Sequence, residues 1–303
     1  MPRSRRPARM STVGAKAIVV GVDGSSSSLD AVGWAARAAE LRCIPLKLVS
    51  AYQVRALYTS FVALPSHIGA EEHAAAESIL TSASLVARRS VENPNALTIT
   101  TESIVGPTIQ AMLDESSDAS MMVVGSRGNG EYFAELLGSV STAVAVQAQC
   151  PVVVVPGSVE LHSARGSVVL GVDASAHNQA AVRLAFEEAS LGRTGLLAVH
   201  VSTDEPVSSP EASAADRSDA IVFNGRTVLA ESLAGWSEQY PDVAVERTVL
   251  RGNVVEKILE VSLRAQAVVV GSSGRSGFSG LLLGSTVRSL AHRVDCPLIV
   301  ARG

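Results

Sequence analysis

The chain has 303 residues and a formal net charge of −4 at pH 7, with 47% hydrophobic and 18% charged residues. That length accommodates two ordinary domains, each able to bury a core. No apolar run approaches the roughly 18 residues of a membrane span, and the acidic balance argues against nucleic-acid binding, which usually needs a basic surface. The three cysteines do not suggest a disulfide framework and no signal-peptide core occurs near the start, so we expect a cytoplasmic protein.

The start of the chain differs in composition from the rest. Residues 1–14 carry four arginines among prolines and serines, without the periodic apolar positions of a helix or strand. A segment of this composition cannot bury enough apolar surface to fold alone. We therefore predict a disordered basic tail, with contact to an acidic partner as the alternative.

Strands and helices alternate through the first half. Apolar, β-branched runs predict strands at 17–23, 46–52, 97–103, 121–125 and 152–155. Apolar residues at helical spacing predict helices at 25–42, 69–91, 108–117 and 138–149. Strands that are apolar on both faces and alternate with helices indicate a parallel sheet covered on both sides.

The second half repeats this pattern after a short linker. Strands are predicted near 167–173, 196–201, 243–250, 267–271 and 298–301. Gly, Ser and His interrupt the pattern between the halves, which predicts domains at 15–157 and 167–303 joined by a linker at 158–166. The stretch 204–218, rich in Pro, Ser, Ala and acidic residues, is predicted to be a mobile loop, with a regulatory segment as the alternative.

One glycine-rich motif occurs in both halves. The first copy reads Gly125-Ser126-Arg127-Gly128, nine residues, Gly138-Ser139, and the second reads Gly271-Ser272-Ser273-Gly274, nine residues, Gly284-Ser285. The copies are 146 residues apart, and the Gly-Val-Asp strand ends at 21–23 and 171–173 are 150 apart. A period this long indicates a duplicated domain, because solenoid repeats run to roughly 20–50 residues. The repeat therefore predicts two similar ligand sites.

The motif suits a phosphate group. Ligands of an open parallel sheet bind at the carboxyl ends of the strands, where the chain direction over the sheet switches. The glycines allow backbone amides to approach a ligand, and the start of the following helix attracts an anion. Ser139 and Ser285 can add a hydroxyl and act as helix caps. No lysine lies near either loop, as a P-loop requires, and G-x-G-x-x-G does not follow the first strand.

An aspartate follows the first strand of each half. A carboxylate repels phosphate but accepts hydrogen bonds from ribose hydroxyls or a base, so we expect Asp23 and Asp173 at the nucleoside end of a ligand. Two alternatives stay open. Either aspartate can cap the following helix, and the glycines can be turn residues.

Together these residues resemble a known family. The spacing G-x(2)-G-x(9)-G-[ST], with Gly-Val-Asp and Cys-Pro-Val-Val-Val, is similar to that of the universal stress proteins, in the tandem two-domain form common in actinobacteria. The resemblance covers about 17–156 and 167–301. It implies an α/β fold with two doubly wound, five-stranded parallel-sheet domains of strand order 3-2-1-4-5, related by a pseudo-two-fold axis.

The resemblance also implies an adenine-nucleotide site in each domain. Asp23 and Asp173 would serve adenosine, and the backbone of Val49 and Val199 would contact adenine. In the first domain the implied binding residues are Val22, Asp23, Val49, Val124, Gly125, Gly128, Gly138, Ser139 and Val140. In the second domain they are Val172, Asp173, Val199, Val270, Gly271, Gly274, Gly284, Ser285 and Thr286. Thr286 departs from the valine of the first copy, at a position where only a backbone contact is implied.

The function implied by the resemblance is nucleotide-dependent regulation. Each domain would bind ATP with Mg²⁺, and the protein would act through an unknown regulatory partner in stress response or growth arrest. The short strands at 152–155 and 298–300 are expected at sheet edges, where family domains pair as a homodimer or within one chain. A weak ATPase or autokinase, and an assembly module with a structural nucleotide, are the alternatives. The sequence identifies no general base, which favours binding over turnover. The choice among ATP, AMP and a cyclic nucleotide stays open.

The two copies of the motif differ in charge. Glu131 and Glu135 lie in the first loop, where they either hold a metal ion near phosphates or form a solvated surface, whereas Arg275 lies in the second loop. We therefore predict that the second site binds ATP more tightly without metal. The six histidines show no metal-ligand spacing, and Cys150 and Cys296, each before a proline, are predicted to pack in the core.

Overall fold

The computed structural model describes residues 15–54, 69–128, 137–157, 166–175, 178–203, 214–272 and 284–302. The first domain contains strands β1 (Ile18–Gly21), β2 (Leu46–Tyr52), β3 (Ile99–Val105), β4 (Met121–Gly125) and β5 (Val152–Val155). Its helices are α1 (Ser26–Arg42), α2 (Ala70–Arg89), α3 (Thr108–Ser116) and α4 (Ser139–Gln147). The second domain contains strands β6 (Val168–Gly171), β7 (Leu196–Ser202), β8 (Val245–Arg251), β9 (Ala267–Gly271) and β10 (Leu298–Ala301). Its helices are α5 (Asn178–Leu191), α6 (Ala214–Ser232), α7 (Trp236–Gln239), α8 (Val254–Ser262) and α9 (Ser285–Arg293).

The described strands join one ten-stranded sheet. Their order is β3-β2-β1-β4-β5-β10-β9-β6-β7-β8, which confirms the order 3-2-1-4-5 in each domain. Neighbouring strands within a domain are parallel. The central pair, β5 and β10, is antiparallel, with Val153 opposite Ile299. The pseudo-two-fold axis therefore passes between these two strands, and the two domains pair within one chain.

Two hydrophobic cores cover the faces of the sheet. β5 consists of four valines, all buried, and successive side chains of a strand point to opposite faces. On one face α1, α2, α5 and α6 pack against residues such as Val20 and Leu170. On the other face α3, α4, α8 and α9 pack against residues such as Val19 and Val169. Each core contains residues of both domains, so apolar burial continues across the β5–β10 junction.

Helix α1 covers nearly the predicted residues 25–42 and is capped at both ends. Ser25 is the N-cap, and its side chain accepts a hydrogen bond from the backbone N–H of Ser28 at 3.2 Å. Cys43 follows the last turn in the left-handed conformation, with φ of 54°, and its N–H bonds the carbonyls of Ala39 and Glu40. The buried face of the helix is rich in alanine, which allows a close approach to the sheet.

Some element boundaries differ from the predictions. Strand β3 spans Ile99–Val105 rather than 97–103, because its length follows a seven-residue ladder with β2 and its exposed Thr and Glu residues obscure the apolar pattern. The four-residue helix α7 follows Gly235, whose φ is 79°, and has no apolar periodicity that could have predicted it. Helix α6 begins at Ala214, inside the predicted loop 204–218, and the first part of that loop lies outside the described residues. No helix in the described ranges is both long and apolar enough to span a membrane.

A buried ion pair joins the two domains. Arg42, at the end of α1, contacts the carboxylate of Glu188 on α5 through Nη2, and its Nε lies 3.3 Å from Oε1 of Glu187. Only 10% of the Arg42 side chain and 12% of the Glu188 side chain are exposed. Burial raises the pKa of Glu188, and the charge of Arg42 acts against this rise.

Candidate functional site

The chain direction switches between β1 and β4 at their carboxyl ends. These strands are hydrogen-bonded neighbours, yet the chain leaves β1 toward α1 on one face and leaves β4 toward α4 on the other. The same arrangement recurs between β6 and β9, which lead to α5 and α9. Each domain therefore has a crevice of the kind that holds ligands in open α/β sheets, and both glycine motifs start there.

Asp23 lies at this edge and organises its own loop. Its Oδ1 accepts hydrogen bonds from the backbone N–H of Ser25 at 3.0 Å and from the Ser25 hydroxyl at 2.6 Å. Ser25, rather than Asp23, caps α1, so the alternative that this aspartate is the helix cap is wrong for the first domain. Asp23 is exposed, and these bonds to Ser25 fix the position of its carboxylate.

The first two glycines of the motif make close contacts within the protein. A Cβ added at Gly125 would lie 2.7 Å from the backbone carbonyl carbon of Ser27, in the first turn of α1. A Cβ added at Gly128 would lie 2.7 Å from Oδ2 of Asp23. Gly125 thus allows close packing of α1 on β4, and Gly128 allows its loop to meet the aspartate. The buried Ser27 hydroxyl also accepts a hydrogen bond from the N–H of Arg127 at 3.3 Å.

Backbone hydrogen bonds close the two ends of the first glycine loop against each other. The N–H of Gly138 donates to the carbonyl of Ser126 at 2.9 Å, and the N–H of Ser126 donates to the carbonyl of Val155 at 2.7 Å. The hydroxyl of Ser141 donates to the carbonyl of Gly125 at 2.6 Å. The start of α4 is therefore held at the end of β4, beside the Asp23 loop.

The caps of α4 and α9 correct one prediction. Gly138 and Gly284 occupy the N-cap positions, so Ser139 and Ser285 are the first helical residues and do not cap these helices. Among the described residues, no side-chain cap hydrogen bond is found at either helix start. Because glycine has no side chain to bond these amides, the first turn presents backbone N–H groups of the kind that bind anions.

The second domain shows the same geometry where the structure describes it. Oδ1 of Asp173 accepts from the N–H of Ser175 at 3.0 Å and from its hydroxyl at 2.5 Å. The N–H of Gly284 donates to the carbonyl of Ser272 at 3.4 Å, a longer contact than its counterpart in the first domain. Gly274 and Arg275, like Glu131 and Glu135 of the first loop, lie outside the described residues. The predicted difference in charge between the loops therefore stays a prediction.

The valines of the implied sites divide into two groups. Val22, Val49, Val124, Val172, Val199 and Val270 are buried. The N–H of Val22 donates to the carbonyl of Val49, and that of Val172 to the carbonyl of Val199, both at 2.8 Å. Val140 and Thr286 are half-buried in the first turns of α4 and α9.

Sequence reasoning missed one residue that supports the second site. The buried His200 of β7 donates from Nδ1 to the carbonyl of Val172 at 2.8 Å, directly before Asp173. The first domain has Ser50 at the equivalent strand position, so this support is specific to the second site. A histidine inside an apolar strand is the sequence signal that could have indicated it.

The two cysteines that precede prolines lie where the sequence predicts. Cys150 and Cys296 are buried, and burial raises the pKa of their thiols to about 11 and about 12. Their predicted place in the core is confirmed. Within the part of the chain that the structure describes, no group of three or more His, Cys, Asp and Glu side chains is arranged to hold a metal ion.

Comparison with known proteins agrees with this architecture. The model of the universal stress protein family matches the chain twice, at residues 14–156 and 165–302. A universal stress protein of Mycobacterium tuberculosis strain H37Rv is 38% identical over 287 residues, which cover 94% of this chain and 96% of that protein. One from Mycolicibacterium smegmatis is 39% identical over 289 residues, with the same coverage.

A solved structure is similar over nearly the full length. A universal stress protein from Archaeoglobus fulgidus superposes with a TM-score of 0.69 at 19% identity, covering 95% of this chain and 99% of that one. This likeness concerns the fold, whereas the two family matches and the mycobacterial relatives concern the sequence. With a motif-bearing domain on either side of the β5–β10 junction, the chain belongs to the universal stress protein family, in its tandem two-domain form.

Proposed function

We propose that each domain binds one adenine nucleotide, ATP with Mg²⁺, at the carboxyl edge of its half-sheet. The observation that carries this proposal is the close approach of Gly128 to the carboxylate of Asp23, beside the start of α4. A carboxylate held by Ser25 and a helix N-terminus therefore lie in one crevice. Asp173 and Gly284 supply the same elements in the second domain.

The chemistry of the crevice orients the ligand. A carboxylate accepts hydrogen bonds from the hydroxyls of ribose but repels phosphate, so the nucleoside lies toward Asp23. The N–H groups at the start of α4 attract the phosphates, and the hydroxyl of Ser139, on the first helical residue, is an additional donor. The adenine ring would then lie near the carboxyl end of β2, where the family resemblance implies a backbone contact at Val49.

Regulation suits these groups better than catalysis. Among the described residues, the hydroxyls of Ser25, Ser27, Ser126 and Ser141 and the carboxylate of Asp23 lie around the closed end of the first loop, and each already has a backbone or hydroxyl partner. Such groups bind and orient a ligand but are poorly placed to move a proton. We therefore propose a nucleotide-dependent regulator that changes its contacts with a protein partner during stress response or growth arrest.

Replacement of each aspartate tests the proposal. Asp23→Asn and Asp173→Asn keep an oxygen that accepts from the following serine, but they lose the charged acceptor for ribose. Titration calorimetry with ATP and Mg²⁺ should find two sites in the wild-type chain and one in each variant. The affected site should bind about 10- to 150-fold more weakly, the range expected for loss of a hydrogen bond to a charged group. Asp118→Asn is the matched control, because Asp118 is 97% exposed and precedes β4 at the opposite edge of the sheet.

The nucleotide recovered after these titrations separates the alternatives. Intact ATP after hours with Mg²⁺ supports binding without turnover. Accumulation of ADP that disappears in the Asp→Asn variants would replace the proposal with a weak ATPase. Absence of both binding heat and a shift in thermal stability with ATP would reject nucleotide binding and favour an assembly module.

A further inference from the structure

A hydrogen bond between the domains reaches the neck of the first glycine loop. The neck is the point where the N–H of Gly138 bonds the carbonyl of Ser126 and closes the loop. The backbone N–H of Leu137 donates to Nδ1 of His292 at 2.8 Å. An N–H donor requires an acceptor, so Nδ1 carries no proton and the imidazole is neutral with its proton on Nε2. Leu137 is buried and His292 is half-buried, which limits competition from water.

The two partners belong to opposite sites. Leu137 directly precedes Gly138, whose N–H closes the first loop against Ser126 and whose position caps α4. His292 lies in the last turn of α9, a nine-residue helix that follows Gly284 of the second motif. At about 1.5 Å per residue, α9 spans about 13 Å. One short helix therefore begins at the second crevice and ends against the neck of the first.

Helix α4 is also held from the second domain at its other end. Nη2 of Arg302, directly after β10, donates to the carbonyl of Ala145 in the last turn of α4 at 2.5 Å. Burial lowers the pKa of Arg302, and its Nε is buried without a partner among the described residues. Both ends of α4 thus depend on the position of the second domain. The His292 contact is the one that leads to the second crevice.

We propose that the His292–Leu137 hydrogen bond couples the two nucleotide sites positively. The inference rests on the proposed function, since it concerns communication between those sites. A ligand held by the first turn of α9 stabilises that helix in the position in which His292 accepts from Leu137. The bond then stabilises the closed neck at Gly138, which is the phosphate side of the first site. Linkage makes the effect mutual, so a ligand at the first site raises affinity at the second by the same factor.

The first domain lacks an accepting side chain at the equivalent position of α4. The residue of α4 equivalent to His292, 146 positions earlier, is Val146, whose side chain cannot accept a hydrogen bond. His292→Val therefore installs the residue that the other copy of the domain already has at this position. His292→Asn is the matched control, because its Oδ1 lies the same number of bonds from the backbone as Nδ1 and can accept from Leu137.

The coupling factor is measured from three calorimetric titrations of the full chain with ATP and Mg²⁺. The Asp173→Asn chain gives the association constant of the first site alone, and the Asp23→Asn chain gives that of the second. The overall constant for two ATP molecules on the parent chain, divided by the product of these constants, is the coupling factor. Because one hydrogen bond transmits the coupling, we expect a coupling factor of about 2 to 12. The same factor should persist with His292→Asn and fall to one with His292→Val.

Three outcomes would overturn the coupling. These are a factor of one in the parent chain, an unchanged factor with His292→Val, or an amide exchange rate at Leu137 that His292→Val does not increase in ligand-free protein. The exchange measurement does not depend on nucleotide. If no chain binds ATP, the proposed function fails and the coupling with it, whereas loss of the coupling factor alone leaves the two binding sites intact.

Discussion

Removal of Arg42 should show how strongly the buried ion pair controls the cohesion of the two domains. Arg42→Met keeps much of the apolar stem but leaves the Glu188 carboxylate, 12% exposed, without its cation. Loss of one partner of a buried pair costs about 3–5 kcal/mol, because the remaining charge is neither solvated nor neutralised. For 303 residues unfolding together, at about 2.1 cal/mol/K per residue, this lowers the melting temperature by about 5–8 °C.

The pH dependence gives this prediction a second test. Burial raises the folded-state pKa of Glu188 above its ordinary value of 4.5, and the loss of Arg42 raises it further. A group with a raised folded pKa binds its proton more tightly in the folded protein, so the stability deficit is largest above the folded pKa. The deficit should shrink as the pH falls through that raised value toward 4.5. Calorimetry and urea denaturation across this range measure it.

Two further variants decide whether the reasoning is right. Arg183→Met is the matched control, because Arg183 pairs with Glu187 at 3.5 Å on the surface of α5 with 53% of its side chain exposed, and it should cost less than about 1 kcal/mol. Adding Glu188→Leu to Arg42→Met should recover most of the stability, since an apolar pair can replace a buried ion pair. A cost below about 1 kcal/mol for Arg42→Met, or a double variant no more stable than the single one, would refute the account.

Two other predictions concern the glycine motif and the thiols. Gly125→Ala should lower the free energy of unfolding by about 1–3 kcal/mol in urea denaturation, because its methyl group would overlap the backbone of Ser27; an unchanged midpoint would show that α1 shifts without cost. In folded protein at pH 8, iodoacetamide should modify the exposed Cys43 but not Cys150 or Cys296, whose pKa values burial raises to about 11 and about 12. Mass spectrometry of labelled peptides, with urea-unfolded protein as the control, reads this out, and labelling of either buried thiol before unfolding would contradict it.

The sheet and its strand order were predictable because the apolar patterns of its elements are local and occur in both halves of the chain. The valine run of β5 and the helical spacing of apolar residues in α1 each indicate their element without knowledge of distant residues. The edge strand β3 was less predictable, since its exposed face carries Thr and Glu and its ends follow from pairing with β2. The boundaries of the two domains and of the linker, and the identity of the ligand, stay predictions.

The site was predictable in its components but not in its contacts. The spacing of the motif identified Gly125 and Gly128, yet their close contacts with Ser27 and Asp23 arise from the packing of α1 on β4. Serine after glycine suggested a helix cap, whereas the N-cap lies one residue earlier, at Gly138, and Ser139 is the first helical residue. The bond from Leu137 to His292 joins residues 155 positions apart, and no local pattern reports such a contact.

The covalent connection of the two domains has a consequence for their divergence. In a symmetric dimer of identical chains, every substitution appears in both subunits, and an interface change is made twice. Here the antiparallel β5–β10 pair forms within one chain, so its assembly does not depend on protein concentration. Each copy can also change alone. His292 of α9, for example, occupies the position that Val146 holds in α4. With both copies of the domain in one chain, the two halves can therefore acquire separate tasks.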